Sequence, residues 1–125
     1  MPHAGNWQKS HLYKEAEKFN LFLETAQAGK GKGDLPKQMS FIEIDSEEIA
    51  LSSLKKHEQR ESAVLRLFNP SLNKIDTKVK FHLSVKEAWL TNMNEERKER
   101  LTIKGKHVVD LSFGPKKIVT CEVIL

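Results

Sequence analysis

Few residues in this 125-residue chain have types and spacing that could carry chemistry. Gly29-Lys30-Gly31-Lys32-Gly33-Asp34 has the composition of a phosphate-cradling loop. A P-loop needs Gly, four residues, then Gly-Lys and a Ser or Thr for the metal, set between a strand and a helix. Here Asp34 follows Gly33 and no hydroxyl is near. The dinucleotide pattern fails too, because Asp34 stands where its third glycine belongs. His3, His11, His57, His82 and His107 include no pair four apart with an intervening Glu, and Cys121 has no partner at ligand spacing. The spacing therefore argues against a metal site built from this chain alone. Glycoside hydrolysis needs two carboxyl groups roughly 5 to 9 Å apart across the scissile bond. Glu47-Glu48 and Glu95-Glu96 are neighbours that would point apart on a strand, and they read as solubility charges. Cys121 shares a strand face with Val119 and Val123, so it reads as inert packing and not as a nucleophile.

Charge and composition remove further classes. Lys and Arg number 21 against 17 Asp and Glu, a net charge of +4. The lysines are spread along the chain with little aromatic interleaving, which argues against a nucleic-acid partner. One Cys cannot form an internal disulfide, so an oxidising compartment gets no support and the cytoplasm is the expected location. No apolar run approaches the roughly 20 residues of a membrane span, and the start lacks the layout of a secretory signal.

The elements that would position these residues follow from periodicity. Ile75 to Lys86 alternates apolar or β-branched residues with polar ones, the signature of a strand with one buried face. Val109, Leu111 and Phe113 repeat the alternation, as do Val119, Cys121, Val123 and Leu125. With Gly114-Pro115 between them, the two runs read as a hairpin. Ser40 to Ile44, Ile49 to Leu54 and Ala63 to Phe68 are three further strands. Glu95 to Arg100, with charges of both signs, reads as a solvated connection. Short strands at roughly ten-residue spacing predict an all-β fold, an antiparallel β-sandwich from about residue 37 to 125. Leu12, Ala16, Phe19 and Leu23 recur at helical spacing after Ser10, a candidate N-cap, and predict a short helix over 11–20. The glycine and lysine stretch then makes residues 1–36 a separate segment ending in an exposed linker.

Several words in the sequence carry a likeness beyond periodicity. They are Pro2-His3-Ala4-Gly5-Asn6-Trp7, Glu15-Ala16-Glu17-Lys18-Phe19-Asn20, Ser40-Phe41-Ile42-Glu43-Ile44, Leu51-Ser52-Ser53-Leu54-Lys55-Lys56, Val64-Leu65-Arg66-Leu67-Phe68-Asn69-Pro70 and the closing Ile118-Val119-Thr120-Cys121-Glu122-Val123. In that order they resemble the C-terminal end of glycoside hydrolase family 38, the α-mannosidases and mannosylglycerate hydrolases. The resemblance implies that residues 1–36 are the end of a preceding β-domain with its linker. It implies that the remainder is the terminal sandwich of an enzyme hydrolysing terminal α-mannosidic bonds. The family's zinc ion, aspartate nucleophile and acid/base carboxylate belong to a catalytic domain to which no residue here corresponds. The implied partners are therefore the catalytic and helical domains of the parent glycosidase, and this chain is expected to hold no cofactor and no catalytic residue of its own. The resemblance begins at the second residue, which favours a truncated chain. Trp7, Phe19, Phe22 and Leu23 would then lack their neighbours, which predicts disorder, re-packing or self-association in isolation. Arg66 interrupts an apolar run and is read as alternating outward. The alternative is a free-standing carbohydrate-binding module, with Trp89 on its strand between Ala88 and Leu90 as the sugar platform.

Overall fold

The computed structural model describes residues 5–7 and 10–125. His3 and the first half of the Pro2–Trp7 word lie outside the described residues. Two compact units are present, residues 1–39 and residues 40–125.

Among the described residues, the first unit holds one helix, α1 (Leu12–Asn20). The Lys18 ammonium pairs with the Glu15 carboxylate at 2.7 Å one turn away, and Leu21 N–H closes the last turn on Glu17 O at 2.8 Å. The cap differs from expectation: His11, not Ser10, is the N-cap residue. It sits in the left-handed region at φ 47° and makes no side-chain cap bond. No residue of α1 is buried, and Phe19, Phe22 and Leu23 are all more than 80% exposed. No regular element follows until residue 42.

The second unit is an antiparallel β-sandwich. Its strands are β1 (Ile42–Ile44), β2 (Ala50–Lys56), β3 (Ala63–Phe68), β4 (Ile75–Phe81), β5 (Glu87–Thr91), β6 (Arg97–Arg100), β7 (Ile103–Lys104), β8 (Val108–Phe113) and β9 (Ile118–Ile124). One sheet has the order β1-β4-β8-β7 and the other the order β2-β3-β9-β5-β6. Alternation along each strand aims one row of side chains at the opposite sheet. Val79, Phe81, Val109, Leu111 and Phe113 come from the first sheet, and Leu65, Leu67, Ala88, Cys121 and Val123 from the second. Together they make one core, each at most 4% exposed. Burying the Val, Leu and Phe side chains among them contributes about 1.5–3 kcal/mol each, which holds the two layers together.

Three expectations about connectivity are corrected. The alternating run from Ile75 to Lys86 is not one strand, because β4 ends at Phe81. Val85 still points into the core, its N–H on Lys106 O at 2.7 Å, but Lys86 N–H already bonds Ile124 O of the other sheet at 2.7 Å. The sequence alternation runs unbroken through this change of sheet, but burial does not, since Leu83 between Phe81 and Val85 is about half exposed. A change of sheet likewise undoes the expected hairpin at Gly114-Pro115: β8 pairs with β4 and β7, whereas β9 pairs with β3 and β5. The turn crosses between layers, and Asn69 pins the crossing. Buried Asn69 donates through Nδ2 to Gly114 O at 2.9 Å and to Asn73 O at 2.8 Å, and its Oδ1 accepts the Ser71 N–H at 2.9 Å. Finally, Glu95 to Arg100 is not only a connection, because Arg97–Arg100 forms the edge strand β6 with all four residues exposed. A fully charged edge resists pairing with other chains, which is why its sequence looks like a loop.

Candidate functional site

The chemically richest place lies on the outer face of the five-stranded sheet. Strand β9 runs through the middle of that sheet, so the outward residues of its neighbours converge on it. Val64 of β3 and Trp89 of β5 both stand opposite Glu122. Two loops rise over this face, residues 57–62 between β2 and β3 and residues 92–96 between β5 and β6.

Glu122 has no exposed surface, and a carboxylate without water must be paired. Arg60 grips it with two bonds, Nε to Oε1 at 2.8 Å and Nη2 to Oε2 at 2.9 Å. Arg97 of β6 does the same from the other side, Nε to Oε2 at 2.8 Å and Nη2 to Oε1 at 2.9 Å. The Ser62 hydroxyl adds a fifth bond to Oε1 at 2.6 Å. Two-pronged guanidinium pairing of this kind is the strongest hydrogen bonding open to a carboxylate. The Arg97 bonds first, then those from Arg60 and Ser62, outweigh burial and hold the Glu122 carboxyl far below the usual carboxylate range. With five donors on two oxygens it is fixed as an anion and has no role as a proton donor.

A second cluster adjoins it. The Glu95 carboxylate meets the Lys55 ammonium at 2.7 Å and lies 3.6 Å from His57 Nε2. The hydrogen bond to Lys55 lowers the Glu95 carboxyl, and the Lys55 ammonium is raised by the same bond. His57 is buried, and its Nδ1 accepts the backbone N–H groups of Gln59 at 3.0 Å and Arg60 at 3.2 Å. Arg60 Nη2 also donates to Glu95 O at 2.9 Å, joining the clusters. Glu95 adopts φ 65°, a left-handed conformation that strains a residue with a Cβ and that these contacts hold in place. The expectation that Glu95 and Glu96 are plain solubility charges therefore holds only for Glu96, which is exposed and bonds Asn92 Nδ2 at 2.6 Å. Glu95 is a largely buried structural anion.

The remaining candidates are placed as follows. Trp89 is half-buried; its indole N–H donates to Glu87 Oε2 at 3.0 Å, and the guanidinium carbons of Arg97 and Arg100 lie 5.1 and 5.7 Å from its ring centroid. These contacts are cation–π pairs, so the ring is in use by its own sheet. Arg66 faces outward, as its alternation predicts, and lies along the sheet, Nε donating to Thr120 Oγ1 at 3.2 Å. Cys121 is on the inner face, and burial pushes its thiol up to about 12. Among the described residues, no group of three His, Cys, Asp or Glu side chains could hold a metal ion.

Sequence reasoning missed Arg60, Arg97 and Glu122. A lone carboxylate inside Ile118-Val119-Thr120-Cys121-Glu122-Val123-Ile124 was the available signal, since a Glu among β-branched neighbours in a central strand needs a partner. Its partners lie 62 and 25 positions away, and no local pattern announces them.

The architecture is that of a two-sheet antiparallel sandwich whose outer face is closed by its own ion pairs. The sequence model described as the Glycosyl hydrolases family 38 C-terminal beta sandwich domain matches residues 48–121, more than half of the chain. The chain belongs to that family. No curated protein matches the chain.

Proposed function

We propose that this chain is the non-catalytic C-terminal segment of an α-mannosidase-type glycoside hydrolase, supporting domain packing in an enzyme that hydrolyses terminal α-mannosidic bonds. Its partners on this reading are the catalytic and helical domains of that enzyme, in the cytoplasm, and it contributes no cofactor ligand. The family match supports the parentage. The observation that carries the packing role is a cleft of about 510 Å³ between the two sheets at one end of the sandwich. Phe41, Leu54 and Leu83 stand around it, each about half exposed. Apolar side chains gathered in this way are characteristic of surfaces that meet another protein surface. The carboxylates of the outer face support the absence of catalysis, because Glu122 and Glu95 are both spent on cations. Among the described residues, no helix is long and apolar enough to cross a membrane.

The test has two arms. The chain is titrated calorimetrically with α-mannosides and assayed for hydrolysis of an aryl α-mannoside with zinc present; neither heat nor product is expected. The native polypeptide carrying these peptides is sized by immunoblot and mass spectrometry, and a product well above 14.3 kDa is expected. Saturable mannoside binding that disappears in Trp89→Ala would replace this reading with that of a free-standing carbohydrate-binding module.

A further inference from the structure

We infer that the loop 57–62 is a mechanical coupler: it ties the ion-pair network on the outer face to the mouth of the apolar cleft, so that the loop 92–96 and the cleft open as one unit. The inference is independent of the glycosidase reading, since it concerns only contacts within residues 40–125.

The loop is a closed body. His57 N–H bonds Ser62 O at 2.8 Å, Ser62 N–H bonds Arg60 O at 2.9 Å, and His57 Nδ1 takes the N–H groups of Gln59 and Arg60. A segment whose polar groups are satisfied by one another moves as a piece more readily than it unravels. Its two sides look into two different clefts. His57, Glu58, Gln59 and Arg60 line a polar cleft of about 390 Å³ together with Met93, Asn94, Glu95 and Glu96. Glu61 and Ser62, with Lys55, Lys56 and Ala63 of the flanking strands, line the apolar one.

Two residues of the apolar cleft reach the anions of the outer face. Ser62 lines the apolar cleft, and its hydroxyl donates to Glu122. Lys55 lines the same cleft, and its ammonium holds Glu95. Arg60 completes the link by bonding the Glu122 carboxylate and the Glu95 carbonyl oxygen with one guanidinium. Lifting the loop breaks contacts to both anions at once and loosens the strained Glu95 turn, which Lys55 and the 3.4 Å bond from Arg66 Nη2 to Met93 O still hold to the strands. The exposed Lys56–Glu61 pair, at 2.7 Å, is too well solvated to hold the loop by itself. Coupling of this kind is reciprocal: whatever fills the cleft is felt at residues 92–96, and whatever loosens residues 92–96 is felt at the cleft.

Hydrogen exchange on the full chain tests the inference. Arg60→Lys keeps the charge and removes the fork. Exchange is expected to rise about tenfold in residues 57–62 and in residues 92–96 together, with residues 108–113 of β8 unchanged. Emission from anilinonaphthalene sulfonate is expected to rise in the same variant, and Leu83→Asp to abolish that rise. Ser62→Ala, which removes one bond only, is expected to give the same pattern more weakly, and Lys56→Ala to move neither loop. An increase confined to residues 57–62, an increase shared equally by residues 108–113, or dye emission unchanged in Arg60→Lys would each overturn the coupling.

Discussion

Arg60 and Glu122 are 62 positions apart in sequence and joined by two hydrogen bonds of 2.8 and 2.9 Å, one partner on a surface loop and the other in the central strand of a five-stranded sheet. The arginine side chain is 37% exposed and the glutamate wholly covered. The pair thus carries an anion's need for neutralisation from the inside of the sheet out to a loop, and the loop's position depends on it.

Removing the anion should cost more than removing any surface pair. Glu122→Gln keeps the shape and discards the charge, leaving Arg60, Arg97 and Ser62 facing an amide; the expected loss is about 3 kcal/mol. Lys56→Ala, which breaks an exposed pair, is expected to change stability by less than about 0.5 kcal/mol. Urea unfolding of the two variants beside the parent chain checks both, and equal midpoints for Glu122→Gln and the parent would remove the network from the account of stability.

Acid sensitivity follows from the same carboxylate. Its folded pKa is depressed, so its contribution is fully present above the ordinary glutamate value of about 4.3 and is lost as pH falls below that value toward the folded one. Glu95, also lowered, acts in the same direction. Stability should therefore fall steeply below about pH 5, and the slope should flatten in Glu122→Gln. Thermal unfolding between pH 7 and pH 3 is the measurement, and parallel curves for the two proteins would contradict the assignment.

Cys121 gives a clean clock for unfolding. Burial pushes its thiol up to about 12, and its exposure is 1%, so neither the thiolate nor access to it exists in the folded chain at neutral pH. Iodoacetamide should leave it unmodified in buffer and label it fully in denaturant, with a rate in intermediate urea that tracks unfolding. Rapid labelling of the native chain would mean that β9 leaves the sheet readily.

The crossing between sheets has its own weak point. Asn69→Ala removes three bonds made by a side chain with no exposed surface: the Ser71 N–H loses its acceptor, while Gly114 O keeps the Lys117 N–H and Asn73 O keeps the Ser71 hydroxyl. A loss of about 1–3 kcal/mol is expected, from the Ser71 N–H left without its bond. Asn69→Asp should recover none of it at neutral pH, since its second carboxylate oxygen would face the Gly114 and Asn73 carbonyl oxygens in place of a donor.

What the sequence made legible was local. Ala63–Phe68 forms the strand its composition predicts, and Leu65 and Leu67 face the core as their spacing requires. Val109, Leu111, Phe113, Cys121 and Val123 were all placed on buried faces, and they are buried. The likeness carried by the Val64–Pro70 word and the closing strand agrees with the family match over residues 48–121. What stayed hidden was pairing across distance. Gly114-Pro115 makes a good turn whether the chain returns to the same sheet or crosses to the other, so turn chemistry could not separate hairpin from crossover. Arg97 looked like one more solvated charge, because its partner is set by the β5–β6 and β5–β9 registers and not by its own neighbours.

The place of β9 in the sheet has a consequence for how the chain comes off the ribosome. Residues 118–124 follow every other strand in sequence, yet they stand between β3 and β5 and carry the carboxylate that Arg60 and Arg97 wait for. During vectorial synthesis, β2-β3 and β5-β6 can form only as two separate ribbons, each with an unfilled side and an unneutralised arginine. The five-stranded sheet therefore closes only once residues 118–124 have been made, and a nascent chain stalled before Ile118 leaves the inner sides of both ribbons unpaired.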